Sequence, residues 1–256
     1  MLTTVPSGML QTTAQYYGFK NRIINGAMVI DQRNAGASGT SNNVYTVDRF
    51  AYYSRGVASK FTWGQNLNSV TPPVGFTNYL GFQSSSSYAV SSTDSFLIQQ
   101  TLEGYNTADL MFGTANAKTI TISFWAYSSL TGTFGGALQN YAGTRAYPFS
   151  YSMPTANTWT YITITIPGDT GGTWVGASNA GSLALEFGLG QGSTYSGTAG
   201  AWVGSDIRNV TGAVSVVGTN GATFYITGVQ LEVGTQATSF DYRPYGTELA
   251  LCQRYF

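Results

Sequence analysis

Glycoside hydrolysis in its usual form needs two carboxyl groups about 5–9.5 Å apart across a cleft. This sequence offers Asp48, Asp94, Glu103, Asp109, Glu186 and Asp206 as carboxylates. Glu186 stands between Leu185 and Phe187, on the outward side of an alternating strand, which makes it a candidate for an exposed sheet face. Nothing in the spacing pairs it with a second carboxylate, so single solvated or Arg-paired carboxylates are expected instead. The chain has no histidine, which removes the commonest general base and the commonest metal ligand. A Ser-His-Asp arrangement therefore cannot be built. The one cysteine, Cys252, can form neither an internal disulfide nor a zinc site. The glycine-rich GLGQG at 188–192 is followed by no helical pattern and no lysine, so it reads as a turn and not as a phosphate cradle. No residue is assigned a catalytic role, and no enzyme activity is expected.

The aromatic residues say more. Trp125 and Tyr127 project to the non-core side of their strand, as do Trp159 and Tyr161. Sugar rings stack on such side chains, because a large apolar face meets the C–H face of the sugar. Another subunit, or a second layer on the same sheet, would cover these rings equally well. Tyr195 and Trp202 lie in the loop sequence GSTYSGTAGAWVG and are stronger glycan candidates, since loops carry function. The glycan-binding candidates are thus Tyr195, Trp202, Trp125 and Tyr127. Arg49 and Arg243 are expected to be structural, stacked on aromatics or paired with Asp48 or Asp241.

The elements that must position these residues are strands. Ala222–Val233, ATFYITGVQLEV, alternates with Phe224 and Ile226 inward. The parity flips after Gly228, and Val229, Leu231 and Val233 become the inward set. A β-bulge at Thr227-Gly228 would accommodate the change. A closing strand this late needs an early partner, and Asn25–Arg33 is the best one. Asp48–Ser54 and Ser59–Gln65 read as a hairpin turning at Arg55-Gly56. Asn78–Gln83, Ser95–Leu102, Thr119–Tyr127, Trp159–Ile166 and Leu183–Leu189 follow, with weaker strands at Phe134–Asn140 and Ala146–Met153. Ala213–Val217 precedes Asn220-Gly221, a hairpin signal into the closing strand. After Pro244 and Gly246, Thr247 can cap a helix over Glu248–Phe256. The expected architecture is an all-β, antiparallel two-sheet sandwich over 21–243. An extended arm at 1–20 precedes it and a short helix at 244–256 follows.

Composition sets the outer limits. The 256-residue chain is long enough to bury a sizeable core. Charged residues make up 9% of it, against about 25% in an average soluble protein. Eleven basic and 11 acidic residues cancel, and the basic ones are scattered, which argues against nucleic acid as a partner. No apolar run approaches the roughly 18 residues of a membrane span. The first 20 residues lack the charged start and apolar core of a signal peptide. Met9, Tyr16, Tyr17 and Phe19 would each gain about 1.5–3 kcal/mol on burial, which favours an arm laid on a neighbouring subunit. Leu249 and Phe256 on the terminal helix are further candidate assembly contacts.

Four segments carry a resemblance. NGAMVIDQR, FLIQQTLEGYNTADLMFGTANAKTITISFWAYS, NTWTYITITIPGD and FYITGVQLEVG resemble the jelly-roll carbohydrate-binding modules of xylanases and cellulases. The resemblance runs from about Asn25 to Gly234 and implies a jelly-roll β-sandwich. Such modules often hold a structural calcium near their first and last strands. Here Met28 and Thr227 stand where acidic ligands would often lie, and only Asp31 is available. No cofactor is therefore expected.

A second resemblance is more specific. NRIINGAMVIDQRNAG and ITGVQLEVGTQATSFDYRPYGTELALCQRYF are similar to structural proteins of tailed bacteriophages, of tail-fibre or capsid-decorating type. It implies a non-enzymatic virion protein, a homotrimer with other virion proteins as partners, released by lysis. Contact with host-surface polysaccharide is compatible with it. A polysaccharide-binding receptor-recognition module is the alternative, and a glycan depolymerase a weaker one.

Overall fold

Period-two alternation over Ile120–Ser128 places Ile120, Ile122, Phe124 and Ala126 on one face, and all four are fully buried. This is the pattern of the whole molecule in its computed structural model, which describes residues 19–254. The strands are β1 (Val44–Val47), β2 (Phe50–Arg55), β3 (Phe61–Gln65), β4 (Leu80–Ser84), β5 (Ser95–Glu103), β6 (Ile120–Ser128) and β7 (Gly132–Asn140). They continue with β8 (Ala146–Met153), β9 (Thr160–Ile166), β10 (Gly181–Gln191), β11 (Ser196–Gly197), β12 (Asn209–Val210) and β13 (Thr223–Val233). Two short helices are α1 (Gly104–Thr107) and α2 (Tyr245–Gln253).

A six-stranded sheet ordered β1-β2-β5-β10-β7-β8 packs on a five-stranded sheet ordered β3-β4-β13-β6-β9. Every pairing inside these two sheets is antiparallel. The fold is a jelly-roll β-sandwich with a short C-terminal helix. One continuous core fills the space between the sheets, with Phe50, Phe96, Phe187, Phe124 and Phe224 all fully buried in it. Some of its rings meet edge-on, as in Phe124–Phe187 at 4.9 Å and Tyr52–Phe82 at 5.4 Å, and others stack, as in Phe134–Phe224 at 5.8 Å.

The bulge falls where the parity change places it. The register of β13 against β6 shifts between Thr227 and Gln230, and Gly228 takes a left-handed φ of 61°. Ile226 and Leu231 both stay fully buried across the shift.

Four expectations are corrected. Asn25–Arg33 is not a regular strand: Asn25 and Met28 both have positive φ, 60° and 58°. The segment still lies along the closing strand, held by Arg22 N–H to the Leu231 carbonyl at 2.8 Å and Val229 N–H to the Gly26 carbonyl at 2.9 Å. Met28 and Leu231 share the core. The expected 48–65 hairpin is a crossover, because β2 pairs with β1 and β5 while β3 pairs with β4 in the other sheet. Tyr52 and Phe61 then meet across the core from opposite sheets, 5.7 Å between ring centroids.

Ala213–Val217 forms no strand; Val216 and Val217 are buried plugs, and Gly221 N–H bonds to Ser84 on β4 instead. The terminal helix begins at Tyr245, with Pro244 at its N-cap, so Thr247 lies inside it rather than capping it. Cys252 is buried against Ile24 and Ile30, and Leu249 packs at the edge of that cluster. Burial pushes the Cys252 thiol up to about 12.

Of the proposed arm, Met9, Tyr16 and Tyr17 lie outside the described residues, as does Phe256. Phe19 is half-exposed under the Arg243 guanidinium of its own chain, 4.9 Å from the ring centroid. No helix among the described residues is long and apolar enough to cross a membrane.

Candidate carbohydrate cleft

The outer face of the six-stranded sheet carries a polar trough. Register places Ala51, Gln99, Glu186 and Ala137 side by side across β2, β5, β10 and β7. The adjoining row brings Thr101, Ala184 and Gln139 together. Alanines beside longer polar residues leave a depression, because their side chains stop at Cβ. The trough has a volume of about 450 Å³. Exposed Tyr45 and Tyr141 stand at its rim, with Tyr53 and Arg55 on β2 and Arg208 from the loop before β12.

Arg208 organises one end. Its Nη1 donates to Glu186 Oε1 at 2.8 Å, and its Nε lies 2.8 Å from Asp206 Oδ1. The guanidinium sits over the Tyr53 ring at 5.4 Å and near the Tyr195 ring at 5.9 Å. Arg55 stacks on Tyr195 at 5.1 Å and donates to its hydroxyl at 2.8 Å. Gln139 donates to Asp206 at 2.9 Å and to the Ile207 carbonyl at 3.1 Å, which pins the loop to the sheet. At the other end Arg49 donates to Glu103 at 2.6 Å and to the Thr101 carbonyl at 2.7 Å.

Glu186 faces away from the core, as expected, but it is not exposed: it lies fully buried in the trough floor beneath Arg208. Its Oε2 is buried without a hydrogen-bond partner. Burial raises its carboxyl, Arg208 pulls it back, and the balance leaves it pushed up to about 8.

The expected glycan residues go to separate places. Tyr195 stands at the Arg55–Arg208 end of the trough. Trp202 packs with Phe112, Tyr147 and Trp174, and its indole donates to the Pro167 carbonyl at 2.7 Å. It closes a loop cluster and does not stand free as a platform. Trp125 and Tyr127 lie on the outer face of the other sheet. Tyr127 stacks on Tyr225 at 5.2 Å, in a layer with Tyr79 and Trp159.

Both arginines are structural, as expected: Arg243 stacks on Phe19 and pairs with Glu248 at 3.2 Å, and Arg49 pairs with Glu103 at 2.6 Å. Asp31, the remaining candidate for calcium, accepts from Asn34 and from the Gly36 N–H. Thr227 donates to the Asn78 carbonyl at 2.6 Å.

Sequence reading missed Tyr53, Arg55, Gln99, Arg208 and the rim tyrosines. Alternation in FAYYSR puts Ala51, Tyr53 and Arg55 on one outward stripe, a usable signal. Arg208 sits in a loop of no periodic pattern, and only the tertiary fold brings it over Glu186.

No protein-family model matches this chain, and no curated protein matches it. Similar solved structures include the enzymatically active domain of bacteriophage CBA120 tailspike protein 4, 13% identical with a TM-score of 0.44. The match covers 84% of this chain and 22% of that one, so this chain spans about a fifth of that chain's length. A family 11 carbohydrate-binding module from Clostridium thermocellum, in complex with a mixed-linked tetrasaccharide, is 13% identical over 80% of this chain and 99% of its own, TM-score 0.35. The N-terminal cellulose-binding domain of Cellulomonas fimi β-1,4-glucanase C is 13% identical over 68% of this chain and 90% of its own, TM-score 0.33. All three likenesses are distant.

Proposed function

We propose that this chain is a non-enzymatic polysaccharide-binding protein of a bacteriophage virion, with the sugar lying in the trough of the six-stranded sheet. The observation that carries this reading is the trough itself. Exposed Tyr45 and Tyr141 offer ring faces at its rim, and Gln99, Thr101 and Arg55 offer hydrogen-bonding groups along it. Apolar faces beside fixed polar groups suit a sugar chain, whose rings have C–H faces and hydroxyl rims.

A binding role is supported over hydrolysis by the position of Glu186. A general acid must touch the glycosidic oxygen, and Glu186 is sealed beneath Arg208 with no exposed surface. The virion setting is supported by the phage-like terminal segments, which meet in one unit. Arg243 donates to the Ile23 carbonyl at 3.0 Å, and Glu248 accepts the Asn25 N–H.

The test is binding of purified host surface polysaccharides by affinity electrophoresis. Tyr45→Ala and Tyr141→Ala, at exposed positions, are expected to weaken retardation about tenfold without lowering the melting temperature. Absence of retardation by every polysaccharide tested would sink the trough reading, and release of reducing ends would sink the non-enzymatic one. Immunogold labelling of particles and sedimentation of the free chain test the virion placement and the homotrimer.

A further inference from the structure

Four of the five tryptophans hand their indole N–H to the protein itself. Trp63 donates to the Ser41 carbonyl at 2.9 Å, Trp159 to Thr71 at 2.8 Å, Trp174 to Asp169 at 3.0 Å and Trp202 to Pro167 at 2.7 Å. Trp125 is the exception: its indole N–H has no acceptor among the described residues. It lies on the outer face of the five-stranded sheet, directly opposite Tyr161 on β9. The two rings are 5.2 Å apart and tilted by 47°, forming an open V.

The bulge of β13 makes the space beside them. A Cβ at Gly228 would stand 2.7 Å from Phe76 Cζ and 3.1 Å from Trp125 Cδ1, so only a bare backbone lets these rings close on the bulge. The result is a groove of about 310 Å³, bounded by Trp125, Tyr161, Phe76 and Tyr242, with Ser123 and Ser239 between them. Among the described residues no charged side chain lines it. Tyr161 is 45% exposed and Tyr242 59%.

We infer that this groove is a second sugar-binding site, for one or two neutral sugar rings, on the sheet opposite the trough. Ring faces take the C–H face of a pyranose, and the free indole N–H takes a sugar oxygen. Without a charged group the groove offers nothing to a uronate or a phosphate, so the ligand class is a neutral sugar. A second copy of the chain is disfavoured, since a stable interface needs about 800 Å² per partner and this one is a narrow concave groove. The inference stands apart from the trough, because the two sites share no residue.

The experiment follows the five indole N–H signals of the nitrogen-15-labelled full chain during titration with methyl glucoside, methyl galactoside, methyl rhamnoside and N-acetylglucosamine. Trp125→Phe assigns its own signal by loss. The expected result is that the Trp125 signal moves with at least one neutral sugar while the other four stay in place. Tyr161→Ala, at an exposed position, should weaken that titration about tenfold. Tyr45→Ala in the trough should leave it unchanged, so failure of either site is seen separately. A Trp125 signal unmoved by every sugar in the panel would overturn the inference. So would a concentration-dependent shift without sugar that Tyr161→Ala abolishes, since a second copy would then be the occupant.

Discussion

Glu186 gives one carboxylate oxygen to Arg208 at 2.8 Å and keeps the other buried with no partner. The pair lies in the trough floor, with Glu186 fully buried. Its energetics therefore depend on pH.

Replacing Arg208 by Met removes the counter-charge and leaves Glu186 stranded. Breaking a buried pair from one side costs about 3–5 kcal/mol. Without Arg208 the Glu186 carboxyl rises further, so the loss is expected to grow as pH rises through about 8, the native value, and to be smaller below it, where the carboxyl is protonated in both proteins. Urea unfolding on the two sides of that pH checks it.

The native protein carries the same sign. Glu186 is raised from 4.5 to about 8, so its contribution is fully present below the lower value and is lost as pH rises through the upper one. Glu186→Gln is expected to flatten stability across this window while leaving trough binding within a few-fold. A Gln variant whose unfolding midpoint falls with pH as steeply as the native one would show that another group titrates there.

Asp169 behaves the opposite way. Burial pushes its carboxyl up, but hydrogen bonds from Arg145, the Gly171 N–H and the Trp174 indole outweigh this and hold it below its ordinary value. Its contribution is present above the ordinary value of 3.8 and is lost as pH falls through the depressed one. Asp169→Asn should cost about 1.5–3 kcal/mol at neutral pH and remove that part of the acid slope, read by acid unfolding followed with tryptophan fluorescence.

Gly228→Ala tests the bulge. A left-handed backbone costs a residue with a Cβ about 1–2 kcal/mol, and here the new Cβ also meets Phe76 and Trp125. A lower melting temperature and a shifted Trp125 emission are expected, with trough binding unchanged.

Glu248→Ala tests the union of the ends. It strands Arg243, whose side chain is 4% exposed, and frees the Asn25 N–H. A loss of about 3 kcal/mol in chemical unfolding is expected, without effect on the trough.

How much of this was legible beforehand depends on whether a feature is local. Period two in TITISFWAY and in the closing strand identified the core faces, because alternation is a property of neighbouring residues. The parity flip located the bulge for the same reason. Which strands pair is not local: FAYYSR and FTWGQ read as a hairpin yet lie in opposite sheets, since each buries its own aromatic stripe from its own side of the core. The binding residues were harder still. Its loop position makes Trp202 a glycan candidate in the sequence, but the fold surrounds it with Phe112, Tyr147 and Trp174.

The residues by themselves determined a net-neutral, histidine-free chain of alternating strands, because composition and period are written in order along the chain. Only the tertiary structure decided that Arg208 covers Glu186, that the alanines of separate strands open a trough, and that the Trp125 indole, alone of the five, meets no acceptor among the described residues. Those are meetings of residues far apart in sequence, and the packing of two sheets brings them about.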